Sequence, residues 1–324
     1  MVADGGDHAT ELTPAGGVRH LMKAWIACAT TMVFLLAGCQ LGSVSAARAD
    51  RRPVVLTTFT VLADIAANVA GDHLRVESIT KAGAEIHGYE PTPDDVKKAA
   101  GADLIIDNGL HLEAWFEQFV AETDVPHAVV SEGVRPIDIA EDAYRGRANP
   151  HAWMSPLNVQ IYVDNMVKAF SDLDPDNAAA FEANGTRYKR QLQGVHDELV
   201  GALGRLPGSE RALVTCEGAF SYLARDAGLT ERYIWAVNAE QQATPQQITR
   251  TIDFVEQNRV PAVFCESTVS DAPMRQVVSA TGARFGGVLY VDSLSGPEGP
   301  VPTYLDLIRH DADTIVTALN GTAR

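Results

Sequence analysis

Four polar residues stand just after apolar, β-prone runs, the place where open parallel sheets present ligand-binding groups. They are His87 in Glu85-Ile86-His87-Gly88-Tyr89-Glu90-Pro91, His151 in Asn149-Pro150-His151-Ala152-Trp153, Glu217 after Cys216, and Asp292 after Val291. Imidazoles and carboxylates are the groups that hold divalent cations or move protons near neutral pH. Each residue alone has an ordinary explanation. A loop histidine is more often a surface group, and a carboxylate after a strand more often caps a helix. The four are a set because they occupy equivalent strand-end positions, two in each half of the chain.

The elements that must position them alternate between strand and helix. Pro53 to Phe59 reads as a strand, Val61 to Ala70 as a helix, Leu74 to Ile79 as a strand, and Pro93 to Ala100 followed by Asp103 to Asp107 repeats the unit. From Asp174 to Leu203 a polar amphipathic stretch carries Phe181, Tyr188, Leu192, Val195 and Leu199 on one stripe and ends at Gly204 and Pro207, which reads as one long helix. Beyond it come strands at Ala212 to Thr215, Tyr233 to Val237, Ala262 to Cys265 and Val288 to Val291. Helices at Ala219 to Ala227, from Thr244-Pro245, and at Met274 to Thr281 alternate with them. The fold class is therefore α/β: two lobes, 50–172 and 205–324, each a parallel sheet flanked by helices, joined by a long helix over 173–204.

Residues 1–49 read as a leader and short linker. An apolar run from Ala24 to Ala37 ends in Leu36-Ala37-Gly38-Cys39, too short for a comfortable membrane span and similar to a lipobox, with Cys39 as the lipidated residue. The alternative is a soluble form cut after Ala47-Arg48-Ala49. Either way the mature chain works outside the cytoplasm, anchored to the membrane through lipid in the first case. The net charge of -16 argues against a nucleic-acid partner, which would require a basic face. Cys216 and Cys265 each end an apolar strand, so adjacent parallel strands could join them as a disulfide or hold them as buried thiols. By the two-residue period of a strand, both sulfurs point away from the face that carries Glu217.

The strings His87-Gly88-Tyr89-Glu90-Pro91-Thr92-Pro93, Asn149-Pro150-His151-Ala152-Trp153-Met154, Glu217-Gly218-Ala219-Phe220-Ser221-Tyr222-Leu223 and Tyr290-Val291-Asp292-Ser293-Leu294 resemble the metal-binding motifs of the solute-binding proteins of manganese, iron and zinc ABC transporters. Asn238-Ala239-Glu240-Gln241-Gln242 and Glu266-Ser267-Thr268-Val269-Ser270-Asp271 are similar to the manganese and iron branch in particular. The resemblance implies a metal site in the cleft between the lobes, with nitrogens from His87 and His151 and oxygens from Glu217 and Asp292. It implies Mn(II) as cargo, with Fe(II) and Zn(II) as alternatives, because zinc-importing relatives typically carry histidine where this chain has Glu217. It also implies a monomer that performs no catalysis and docks on a membrane permease driven by a cytoplasmic ATPase.

Other residues take secondary expectations. Glu240 and Glu266 are candidates to accept the second ring proton of the ligating histidines. His73, His111, His127, His196 and His310 read as surface groups, and Trp115, Phe116 and Phe119 as core. Protonation of the two ligand histidines should release metal below about pH 6. A metal-dependent hydrolase would need an open coordination position and a placed base, and an adhesin on the same scaffold is a further alternative.

Overall fold

The computed structural model describes residues 52–116, 123–208, 211–237 and 243–320; the leader with Cys39, together with Phe119 and Glu240, lies outside them. The first half forms one parallel sheet in the order β2-β1-β3-β4, built from β1 (Val54–Thr57), β2 (Arg75–Ser78), β3 (Leu104–Asp107) and β4 (His127–Val129). Its central strands β1 and β3 are apolar and almost wholly buried, as expected for strands covered on both faces. Helix α1 (Thr60–Ala70) turns Val61, Leu62, Ile65, Ala66 and Val69 inward at helical spacing. Helix α2 (Pro93–Ala100) starts where the sequence signals it: the Thr92 side chain accepts from the Asp95 N–H, the Asp95 carboxylate accepts from the Thr92 N–H, and Pro93 fills the first turn.

Two further helices lie between the halves of the chain. Helix α3 (Pro156–Leu173) packs along helix α4 (Ala178–Leu203), with a 3-10 turn at Pro175–Asn177 between them. The 26 residues of α4 span about 39 Å at 1.5 Å per residue. Gly185 lets the two helices approach closely, since a Cβ there would lie 2.6 Å from Val167 Cγ2. The stripe expected on α4 is the buried one, with Phe181, Tyr188, Leu192, Val195 and Leu199 all inward.

In the second half, β5 (Ala212–Glu217) pairs with β6 (Thr230–Trp235) and β7 (Ala262–Glu266) with β8 (Arg284–Leu289), both parallel. The pairs abut through β5 and β7, where the Cα atoms of Cys216 and Cys265 are 4.9 Å apart and their sulfurs are within bonding distance. Helices α5 (Ser221–Ala227), α6 (Pro245–Asn258), α7 (Ala272–Thr281) and α8 (Tyr304–Leu319) flank these strands. Strand β8 ends at Leu289, earlier than the Val288–Val291 run suggests. Its centre is Gly286 and Gly287, which leave room for the Phe264 ring and for Thr314 of α8 and so hide the strand from an apolar pattern.

One continuous apolar core runs through both halves, from Val55, Phe59 and Trp153 through Phe181 and Tyr188 of α4 to Phe220, Tyr304 and Ile315. The sheets of both halves are thus fixed to a common interior, which is what can hold side chains from each half at constant separation. Among the described residues no helix is long and apolar enough to cross a membrane.

Candidate metal centre

Glu217 is the last residue of β5, and Asp292 follows the end of β8 at Leu289. The two histidines differ from the strand-end placement expected of them. His87 lies within the long segment between β2 and α2, and His151 opens a 3-10 turn at Ala152–Met154, well past β4. These loops carry the imidazoles to carboxylates held at the ends of β5 and β8 in the second half. Around His87 the backbone is pinned by Glu85, whose carboxylate accepts from the N–H groups of His87 at 2.6 Å and Gly88 at 2.8 Å.

One donor atom from each of His87, His151, Glu217 and Asp292 lies within 4.8 Å of every other. The Nε2 atoms of the two histidines are 3.0 Å apart, and Glu217 Oε1 lies 3.2 Å from His87 Nε2 and 3.5 Å from His151 Nε2. Asp292 Oδ1 is 4.0 Å from both ring nitrogens and has no hydrogen-bond partner, although it is buried. The side chains of His151, Glu217 and Asp292 are fully buried and that of His87 is 3 % exposed. A buried, convergent set of two nitrogens and two oxygens with an oxygen left over could hold a divalent ion, since buried charged groups persist only when paired or bound to metal.

The charges of the site depend on one another. Burial disfavours a charged His87, but Glu217, with Asp292 and Glu85 beyond it, outweighs burial and lifts His87 to about 9. Burial pushes His151 below the usual histidine range despite Glu217. Glu217 is itself opposed by burial, yet the two imidazoles hold it well below the usual carboxylate range. Burial, reinforced by the charge of Glu217, raises Asp292 to about 8.

Several supporting residues differ from expectation. Glu266 does not reach a histidine; its Oε2 accepts from the backbone N–H of Glu217 at 3.1 Å and so anchors that ligand's strand end to β7. The group that meets His151 is Asn149, whose Oδ1 lies 2.8 Å from His151 Nδ1. Its only sequence signal is its place two residues before a candidate ligand. Thr268 Oγ1 donates to Asp292 Oδ2 at 3.2 Å. Trp115 packs against the core cluster of Leu56, Ile105 and Phe116 as expected, and it also donates from Nε1 to the carbonyl of Ile86 at 2.9 Å and meets the Tyr89 ring in a tilted contact at 5.0 Å, buttressing the His87 loop from both ends. His73, His111, His127, His196 and His310 do not join the cluster. Cys216, Cys265 and Glu266 form a second convergent group, but the two sulfurs lie against each other within an apolar cluster that includes Val214, Val263 and Val277.

The sequence profile of the family described as "Zinc-uptake complex component A periplasmic" matches residues 55–318. The "Iron-binding protein YfeA" of Yersinia pestis is 54% identical over 262 residues, 81% of this chain and 84% of that protein. The "Manganese ABC transporter substrate-binding lipoprotein PsaA" of Streptococcus mitis is 35% identical over 297 residues, 89% of this chain and 95% of its own length. Among solved structures, the Mn-bound periplasmic metal binding protein of Candidatus Liberibacter asiaticus superposes with a TM-score of 0.78 at 38% identity, over 83% of this chain and 100% of that one.

Proposed function

The chain belongs to the family of the periplasmic zinc-uptake component A, substrate-binding components of metal ABC importers, and we propose that it captures Mn(II) or Fe(II) through His87, His151, Glu217 and Asp292. The observation that carries this reading is the convergence of four donor atoms within 4.8 Å inside the buried junction of the two halves. Two neutral imidazoles with two carboxylates contribute a charge of minus two and neutralise a divalent ion. A bidentate carboxylate raises the coordination number above four, which suits Mn(II) and Fe(II) better than the tetrahedral preference of Zn(II). Relatives named for iron and for manganese support the same choice.

Capture is followed by delivery. The ion replaces protons on the ligands, and the loaded protein docks on a membrane permease whose cytoplasmic ATPase drives release. The chain acts as a monomer and performs no catalysis, since four protein ligands around one ion leave little room for a substrate. Its lobes are 50–172 and 205–324, with 173–204 as the joining helix. Cys39 carries the lipid that holds it at the outer face of the membrane. Cys216 and Cys265 form a disulfide, a pairing supported by a Cα separation of 4.9 Å, inside the usual range of about 4.4–6.8 Å.

The test is metal analysis of protein purified without chelator, then competitive titration of manganese, iron and zinc against wild type and Glu217→His. One equivalent of metal and a shift toward zinc in the variant is the expected result. Equal preference for zinc in both proteins would make zinc the cargo. Absence of binding and of thermal stabilisation by all three metals would remove the transport reading and return the adhesin alternative.

A further inference from the structure

Asn149 is 2% exposed and all the polar groups of its side chain are engaged. Its Oδ1 accepts from the His151 backbone N–H at 3.0 Å and faces His151 Nδ1 at 2.8 Å. Its Nδ2 donates to the Gly218 carbonyl at 2.6 Å and to Ser221 Oγ at 3.2 Å. The orientation of the amide is not free to reverse. A backbone N–H can only donate and a carbonyl can only accept, so the oxygen must face His151 and the nitrogen Gly218. His151 Nδ1 therefore meets a pure acceptor and must carry the ring proton, which leaves Nε2 with its lone pair toward His87, Glu217 and Asp292.

The same side chain spans the two halves of the molecule. Gly218 directly follows Glu217 and is closely packed, since a Cβ at that position would lie 2.9 Å from the Ala236 carbonyl and the Tyr233 ring. Tyr222, from helix α5 beyond Gly218, donates its hydroxyl to the Asn149 carbonyl at 2.8 Å, so the tie is made twice. On the reading of the site given above, we propose that Asn149 is a positioning residue with two tasks. It fixes His151 as the Nδ1–H tautomer before metal arrives, and it couples that imidazole to the backbone bearing Glu217, so that a nitrogen from one half and an oxygen from the other are held as one unit.

Two variants separate the tasks. Asn149→Ala removes acceptor and donor together. Asn149→Asp keeps an acceptor for His151 but sets a carboxylate oxygen against the Gly218 carbonyl. Long-range proton–nitrogen correlation spectra of the metal-free protein report the tautomer of His151, and Mn(II) titration reports affinity. Wild type is expected to show the proton on Nδ1. Asn149→Ala should populate the Nε2–H form and bind Mn(II) about 10- to 100-fold more weakly, the usual effect of losing a partner of a metal-bound histidine. Asn149→Asp should retain the Nδ1–H tautomer and still lose affinity. A folded Asn149→Ala with the wild-type tautomer and affinity would overturn the first task, and an Asn149→Asp that binds as wild type would overturn the second. Should Asn149→Ala fail to fold, the tautomer of the wild type and the affinity of Asn149→Asp still decide each task. Wild type that binds no metal would count against the site itself, whereas the tautomer measurement does not depend on metal.

Discussion

At the scale of single residues, the proposed metal site holds protons where the ion would bind. With His87 raised to about 9 and Asp292 to about 8, the metal-free cluster at neutral pH holds a protonated His87 and a protonated Asp292 beside ionised Glu217 and neutral His151. Its net charge is then zero, whereas the proposed ligating set would carry minus two, so each divalent ion bound there would displace two protons. Affinity must therefore rise with pH up to about 8–9 and fall by as much as roughly a hundredfold per unit below that range. Proton competition begins well above the pH 6 expected from unperturbed histidines, because the ionised Glu217 stabilises the His87 imidazolium. Calorimetry at pH 7 in buffers of different protonation enthalpy should find about two protons released per metal; binding without proton release would contradict the arrangement. The donor types were readable from the sequence. The shifted proton affinities were not, since they follow from how closely four buried groups are pressed together.

At the scale of elements, capped helices and uniformly apolar strands were legible, and mixed ones were not. Thr92-Pro93 and Thr244-Pro245 both open helices with reciprocal capping to Asp95 and Gln247, as their spacing indicates. Helix α3 is not signalled by the sequence because Val159, Ile161 and Val163 alternate with polar or aromatic residues in a strand-like rhythm, and only packing against α4 selects the helix. Strand β4, three residues long, is defined by its register on β3. The contact between β5 and β7 carries a stability prediction. A disulfide between Cys216 and Cys265 closes a loop with a sequence separation of 49, which constrains the unfolded chain by up to about 4 kcal/mol. The double substitution to serine should lower the free energy of unfolding in urea by roughly 2–4 kcal/mol, and thiol titration of the native protein should find neither sulfhydryl free. Two reactive thiols would exclude the bond.

At the scale of the whole molecule, contacts on both sides of the candidate metal centre bind the halves together. On one side are Asn149 with Gly218 and Tyr222; on the other, the Trp153 Nε1 donates to the Val291 carbonyl at 3.1 Å and the Leu294 N–H donates to Thr60 at 2.9 Å. Farther back, Asp64 of α1 accepts from the Tyr304 N–H at the start of α8 at 2.9 Å. Burial raises Asp64 to about 6, with the Tyr304 N–H opposing and Asp306 adding to the rise. Because its folded value lies above its unfolded one, its contribution to stability is fully present below about pH 4 and is lost as pH rises through 6. Asp64→Asn, which keeps an acceptor for Tyr304, should therefore stabilise the protein at pH 8 by on the order of 1–2 kcal/mol, after allowance for partial exposure, and leave it unchanged at pH 4. Thermal melts at the two pH values read this directly; equal effects at both would show that the carboxyl is not the cause.

The sequence by itself determined the alternation of strand and helix and the long α4 with its buried stripe, and it singled out the four residues that the structure brings together, because periodicity, caps and residue chemistry are local properties. Tertiary structure decided which atoms meet. His87 and His151 are separated by 64 residues along the chain yet lie 3.0 Å apart at Nε2, and Asn149 reaches Gly218 across 69. Such distances are set by a core shared between the two halves and by loops long enough to cross between them. No local pattern encodes the resulting tautomer of His151 or the proton held on Asp292, because both exist only where the buried groups converge.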